Sequence, residues 1–93
     1  MIKSFKNKST ETLFRSGRHK KVPPNVTTRA IKQLDRLDAV ARIEDLYFPP
    51  SSHFEKLAGL SPTRYSIRVN RQYRITFEWT GTDAENVRFE DYH

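Results

Sequence analysis

From Arg64 to His93 the chain alternates apolar with polar or basic side chains at period two, in three runs: Tyr65, Ile67, Val69; Tyr73, Ile75, Phe77, Trp79; Val87, Phe89. The pattern predicts an antiparallel meander. Asn70 to Gln72 is its first connection, and Gly81 to Asn86, with Gly, Asp and Asn, its second. Intervening side chains point to the opposite face, so Arg68, Arg74, Thr76, Arg88 and Tyr92 are expected on one side of the sheet. Strict alternation sends Asp91 and His93 to the other side, from which a terminal residue can reach around the sheet's end.

Upstream the period becomes helical. Ala30, Leu34, Leu37 and Ala41 recur at i, i+4, i+7 and i+11 with Ile31 beside them, predicting a main helix whose outer side carries Arg29, Lys32 and Arg36. Val22-Pro23-Pro24 precedes it, and Asn25 or Thr27 is its expected cap. A shorter helix comes first, capped by Ser9 or Thr10, with Glu11 in its first turn, Leu13 and Phe14 buried and Gly17 as its end. Ile2 to Phe5 reads as a short edge strand. Ile43 to Leu46 reads as a separate turn, Pro49-Pro50 as a helix stop, and Ser51 to Glu55 as the start of a strand that sends Phe54 and Leu57 into the core and holds His53 at its mouth, beside the C-terminal strand. The order β-α-α-β-β-β-β gives an α+β fold: a single domain over residues 1–93, two N-terminal helices packed on one face of a mostly antiparallel sheet.

Ninety-three residues bury roughly 60–70% of their unfolded surface, enough for one modest core. A net charge of +6 makes a polyanion the first partner to consider. Residues 1–42 carry eleven basic and three acidic side chains, whereas residues 64–93 carry five of each. The long-range field therefore belongs to the N-terminal half, and the sheet arginines act locally. Cysteine is absent and no apolar run approaches a membrane span, so a cytoplasmic protein without membrane contact is expected. The three histidines lack metal-ligand spacing and the three glycines form no phosphate loop; no metal or cofactor is expected.

What remains is a basic, aromatic sheet face ending in Asp91-Tyr92-His93, a surface suited to RNA. Metal-free RNA cleavage needs alignment of the 2′-oxygen with the adjacent phosphorus, charge stabilisation at the non-bridging oxygens, and proton transfer at both ends. His93 suits acid or base work, Asp91 can orient it or act as base, Tyr92 can stack or donate, and Arg74 and Arg68 can stabilise the phosphorane. Arg64, Arg71, Lys56 and His53 are further candidate RNA contacts. The blander reading has Tyr92 packed, Asp91 paired with an arginine and His93 in solvent. Likewise the basic loop 15–21 is either a solvated linker or a phosphate-contacting arm.

The start Met1-Ile2-Lys3-Ser4-Phe5, the core Ser66-Ile67-Arg68-Val69-Asn70 followed by Tyr73-Arg74-Ile75-Thr76-Phe77, and the ending Glu90-Asp91-Tyr92-His93 resemble the HigB group of the RelE/ParE toxin superfamily, end to end and in order. The resemblance implies a type II toxin neutralised by a HigA-type helix-turn-helix antitoxin, the pair binding operator DNA. It further implies a ribosome-dependent mRNA interferase that cuts the codon in the A site of the 70S ribosome by 2′-hydroxyl attack. Asp91, Tyr92, His93 and Arg74 match the family's catalytic positions, and Arg18, Lys20, Lys21, Arg29, Lys32 and Arg36 become expected ribosome contacts. Characterised relatives carry a histidine and a lysine where Glu55 and Ala58 align here. Either His53 and Lys56 substitute by a shift, or the chain leans on His93 and its arginines, the reading that the shared Ser-Ile-Arg-Val-Asn core favours. A ParE-like toxin that binds DNA gyrase without chemistry is the alternative from another class, and an inactive RNA-binding or antitoxin-sequestering relative is a third.

Overall fold

A computed structural model describes residues 1–91; Tyr92 and His93, two of the expected catalytic residues, lie outside the described residues. Helix α1 spans Lys8–Ser16 and α2 spans Pro24–Ala39. Two 3-10 turns, Ile43–Tyr47 and Pro50–Ser52, lead to strands β1 (Glu55–Leu57), β2 (Arg64–Arg68), β3 (Tyr73–Trp79) and β4 (Ala84–Asp91). The strands form one antiparallel sheet in the order β1-β2-β3-β4. This is the expected α+β arrangement. Leu13 of α1 and Ala30, Leu34 and Leu37 of α2 meet Ile67, Ile75, Phe77 and Val87 of the sheet, all with no exposed surface. Each fully buried Leu, Ile or Phe contributes roughly 1.5–3 kcal/mol, so this stripe-on-pleat contact is the main drive for docking the helices.

The edge segment forms two isolated parallel bridges rather than a strand, Ile2 with Ala84 and Phe5 with Val87. Beyond it, the Phe89 amide donates to Thr10 Oγ1 at 2.9 Å, so β4 spends its outer hydrogen bonds on the N-terminal segment and α1. Thr10 is therefore not the cap of α1. The cap is Asn7, whose Oδ1 accepts from the Thr10 amide at 3.0 Å and from Thr10 Oγ1 at 2.7 Å. Helix α2 has no side-chain cap, contrary to the expected Asn25 or Thr27. It starts on Pro24, which has no N–H to satisfy. Ala41 also falls outside the stripe, because the chain turns extended at Val40 and returns to the core through Leu46.

Two strand boundaries moved. The second connection covers only 80–83, and β4 begins at Ala84. Ala84 and Val87 have opposite parity, yet both are fully buried. A β-bulge reconciles them: the register slips by one between Thr76 and Glu78, and Asn86 takes a left-handed φ of 50°. At the other edge, Pro50–Ser52 winds into a turn and His53 has φ 46°, which delays β1 to Glu55. Phe54 packs on the core, stacked on Tyr65 at 5.6 Å, but Leu57 pairs with Arg64 on the polar face. β1 and β4 are opposite edges, so His53 is not beside the C-terminal strand.

Gly17 ends α1 at φ 75°, and a Cβ there would stand 3.4 Å from Ile31 Cδ1. Gly17→Ala is expected to cost about 1–2 kcal/mol, lowering Tm by roughly 4–8 °C per kcal/mol; thermal melting followed by circular dichroism checks this.

Candidate RNA-cleavage face

The strand register decides which side chains share the polar face. Arg68 pairs with Arg74, Ser66 with Thr76 and with Glu55, Thr76 with Arg88, and Arg74 with Glu90. Directly opposed residues project to one side. The expected grouping of Arg68, Arg74, Thr76 and Arg88 is thus present, and Glu55, Ser66, Glu78 and Glu90 join it. Ser66 and Glu90 follow from the same period-two rule applied to the intervening polar positions. Glu55 gave no such signal, since its place depends on where β1 begins.

Arg74 is firmly held on this face. Its Nε donates to Ser66 Oγ, its Nη2 donates to the His53 carbonyl at 2.7 Å, and Glu55 Oε1 lies 3.5 Å from Nη2. Only 11% of its side-chain surface is exposed. A guanidinium fixed in this way needs no reorganisation to meet a developing negative charge. Beside it, Arg68 Nε donates to the Asn70 carbonyl at 3.1 Å and its Nη1 stands 3.4 Å from His53 Nε2. His53 therefore touches both arginines, one through its ring and one through its carbonyl.

Arg64 does something different. Its guanidinium donates to Glu78 Oε2 at 3.1 Å, Thr76 Oγ1 at 3.1 Å and the Asn86 carbonyl at 2.8 Å. Thr76 Oγ1 in turn donates to Glu90 Oε2 at 2.5 Å, and Asn86 Nδ2 donates to Glu78 Oε2 at 3.0 Å. The residue is 8% exposed. It braces β2, β3 and the bulge of β4, which corrects its expected place as an RNA contact: a buried cation with three acceptors is a structural tie. Lys56 is corrected too. It pairs with Tyr65, so it projects to the face opposite Arg68 and Arg74 and does not take up a family lysine's place among them.

The remaining expected residues are spread over the molecule. Arg71 lies exposed in the β2–β3 turn, on the rim of a cavity of about 570 Å³ that Arg29, His53 and Arg68 also line. Asp91 is opposite Tyr73, Gln72 Nε2 donates to its Oδ2 at 2.9 Å, and its face is the one away from Arg74, as alternation requires. Arg18, Lys20 and Lys21 line an open groove of about 1110 Å³ between α1 and α2, joined by Lys8. The loop bearing them is anchored: the His19 ring meets Phe89 edge-on at 5.5 Å and its Nδ1 accepts from the Lys21 amide at 3.2 Å. Lys32 is exposed on α2. Arg36 departs from the outward basic ridge, since its guanidinium donates to Ser52 Oγ at 2.8 Å, Gln33 Oε1 at 2.9 Å and the Phe48 carbonyl. Among the described residues no three His, Cys, Asp or Glu side chains gather as a metal site would, and no helix is long and apolar enough to cross a membrane.

The chain is similar to known proteins along most of its length. A family profile described as the RelE-like toxin of type II toxin-antitoxin system HigB matches residues 3–93. Toxin HigB-1 of Vibrio cholerae is 34% identical over 93 residues, 99% of this chain and 98% of that protein. Endoribonuclease HigB of Proteus vulgaris is 35% identical over 96 residues, covering both chains in full. An uncharacterized protein of Haemophilus influenzae is 34% identical over 74 residues, 80% of this chain and 73% of that protein.

Proposed function

The chain belongs to the HigB-like family of RelE-like toxins of type II toxin-antitoxin systems, and on that premise we propose that it is an endoribonuclease that cuts mRNA in the ribosomal A site, arresting translation and growth. Membership of such a family implies an antitoxin partner; the proposal names it as a HigA-type helix-turn-helix protein that carries the pair to operator DNA. The observation that carries the nuclease reading is the immobilised Arg74 between Ser66 and the His53 carbonyl, with Arg68 alongside. The 2′-oxygen attacks the adjacent phosphorus, its proton passes to a base, and the 5′-oxygen leaves with a proton from an acid, giving a 2′,3′-cyclic phosphate and a 5′-hydroxyl end. This needs only an internal nucleophile, fixed positive charge and two proton-transfer groups. Arg74 and Arg68 offset charge on the non-bridging oxygens. Asp91, the last residue of the strand paired with that of Arg74, and Tyr92 and His93, which follow it in the sequence, supply proton transfer and base stacking. The basic groove holding Arg18, Lys20 and Lys21, together with Lys32 on α2, faces ribosomal RNA, where counterion release favours binding.

Primer extension on mRNA in ribosomes with an empty A site, and on the same mRNA in solution, tests this. Cleavage confined to the ribosome is the expected result. Intact mRNA in both tubes, with inhibition of gyrase supercoiling by the same protein, would overturn it.

A further inference from the structure

We propose that the cavity between α2 and the β2–β3 turn is a second phosphate site, taking a backbone phosphate that neighbours the one attacked; this rests on the nuclease reading above. Four separate segments supply its cations or its imidazole: Arg29 from α2, His53 from the loop before β1, Arg68 from β2 and Arg71 from the turn. Among the described residues that line this concave space of about 570 Å³, Arg29 and Arg68 supply positive charge and none is a carboxylate, whereas Arg64 and Arg74 on the open face have Glu78 and Glu55 beside them.

The cavity is built rather than accidental. Gln33, one turn beyond Arg29 on the same side of α2, donates to the Arg68 carbonyl at 2.7 Å and to Ser52 Oγ at 3.1 Å. Arg36 holds the same Ser52, which is 2% exposed, and so fixes the residue before His53. These bonds lock α2, the His53 loop and the end of β2 together, which sets Arg29 over the seam where Arg68 and His53 meet. An anion seated there accepts from the Arg68 guanidinium and the Arg29 guanidinium at once. The cavity also adjoins the reaction face through Arg68 and His53: Arg68 is paired with Arg74, the His53 ring meets Arg68, and the His53 carbonyl orients Arg74. Successive phosphates of one strand can therefore sit on the two sides of His53.

The test uses ribosomes programmed with mRNA carrying one neutral methylphosphonate linkage on either side of the cut, and compares wild-type protein with Arg29→Ala and Arg29→Lys. Arg29→Ala is expected to lower kcat/KM about tenfold, mostly through KM, with Arg29→Lys recovering part of it. One methylphosphonate position should cost the wild type at least a similar factor and cost Arg29→Ala clearly less, because the Arg29 contact is already gone and only that of Arg68 remains to be lost. Losses that add at both positions would assign Arg29 to ribosomal RNA and overturn the site, as would an unaltered kcat/KM. A wild-type protein that cleaves nothing refutes the nuclease reading instead. The site is then judged on binding of a 2′-O-methyl oligoribonucleotide to the isolated protein. There Arg29→Ala should flatten the salt dependence of Kd by about 0.7 in log-log slope, and an unchanged slope and Kd would overturn it.

Discussion

Arg74→Ala is expected to slow mRNA cleavage on the ribosome by about 10²–10³-fold, the usual loss when one prearranged donor to a developing oxyanion is removed. The size of the effect follows from the way the residue is held. Ser66 and the His53 carbonyl fix two edges of the guanidinium before any substrate arrives, so its alignment costs nothing at the moment of reaction. Arg74→Lys keeps the charge but loses the planar fork that both anchors and presents it, and should recover little of the rate. His93→Ala is expected to cost about 10²–10⁴-fold through loss of proton transfer, and the double variant should be less impaired than the product of the two losses, since both groups serve one transition state. Initial rates of A-site cleavage, with circular dichroism to confirm folding, measure all four. A folded Arg74→Ala protein that cleaves within threefold of wild type would remove this residue from the mechanism.

For Arg64→Ala the expected loss is in stability: about 3 kcal/mol, at the low end of what breaking one partner of a buried ion pair costs, because Glu78 keeps 23% of its side-chain surface exposed. For a chain of this length that lowers Tm by roughly 12–24 °C. The substitution strands Glu78, one acceptor site of Thr76 and the Asn86 carbonyl together, at the point where the bulge bends β4. Arg64→Met with Glu78→Gln removes both charges and keeps the volume, and should restore most of the stability. Denaturant unfolding of the single and double variants reads this directly. Should Arg64→Ala melt like the wild type but bind RNA more weakly, Arg64 would return to the RNA-contacting set and the structural tie would be refuted.

Much of this site lies close to the surface of the sequence. Period two in residues 64–91 was enough to put Arg68, Arg74, Thr76 and Arg88 on one face and Asp91 on the other, since pleating obliges it whatever the strands pack against. The helical stripe of Ala30, Leu34 and Leu37 likewise announced its own buried side. Gly17 ended its helix as a glycine after a run of apolar contacts should. Misplaced residues were those whose environment depends on where an element begins. One residue of displacement in β1 exchanges Glu55 for Lys56 on the polar face, because successive side chains of a strand point oppositely. One extra residue at Asn86 moves Ala84 from turn to core.

The sequence by itself therefore determined the fold class, the two helices, the meander and the place of Arg68, Arg74, Thr76 and Arg88 on the polar face, all properties of local periodicity. Only the tertiary structure distinguished three arginines that look alike in the chain. Arg64 is bound to acceptors 12, 14 and 22 residues away, Arg74 is fixed by residues from β2 and the loop before β1, and Arg68 opens onto a cavity with a helix residue on its far wall. A guanidinium's role is set by which acceptors fold around it, and those partners are distant in sequence, so no pattern along the chain encodes them.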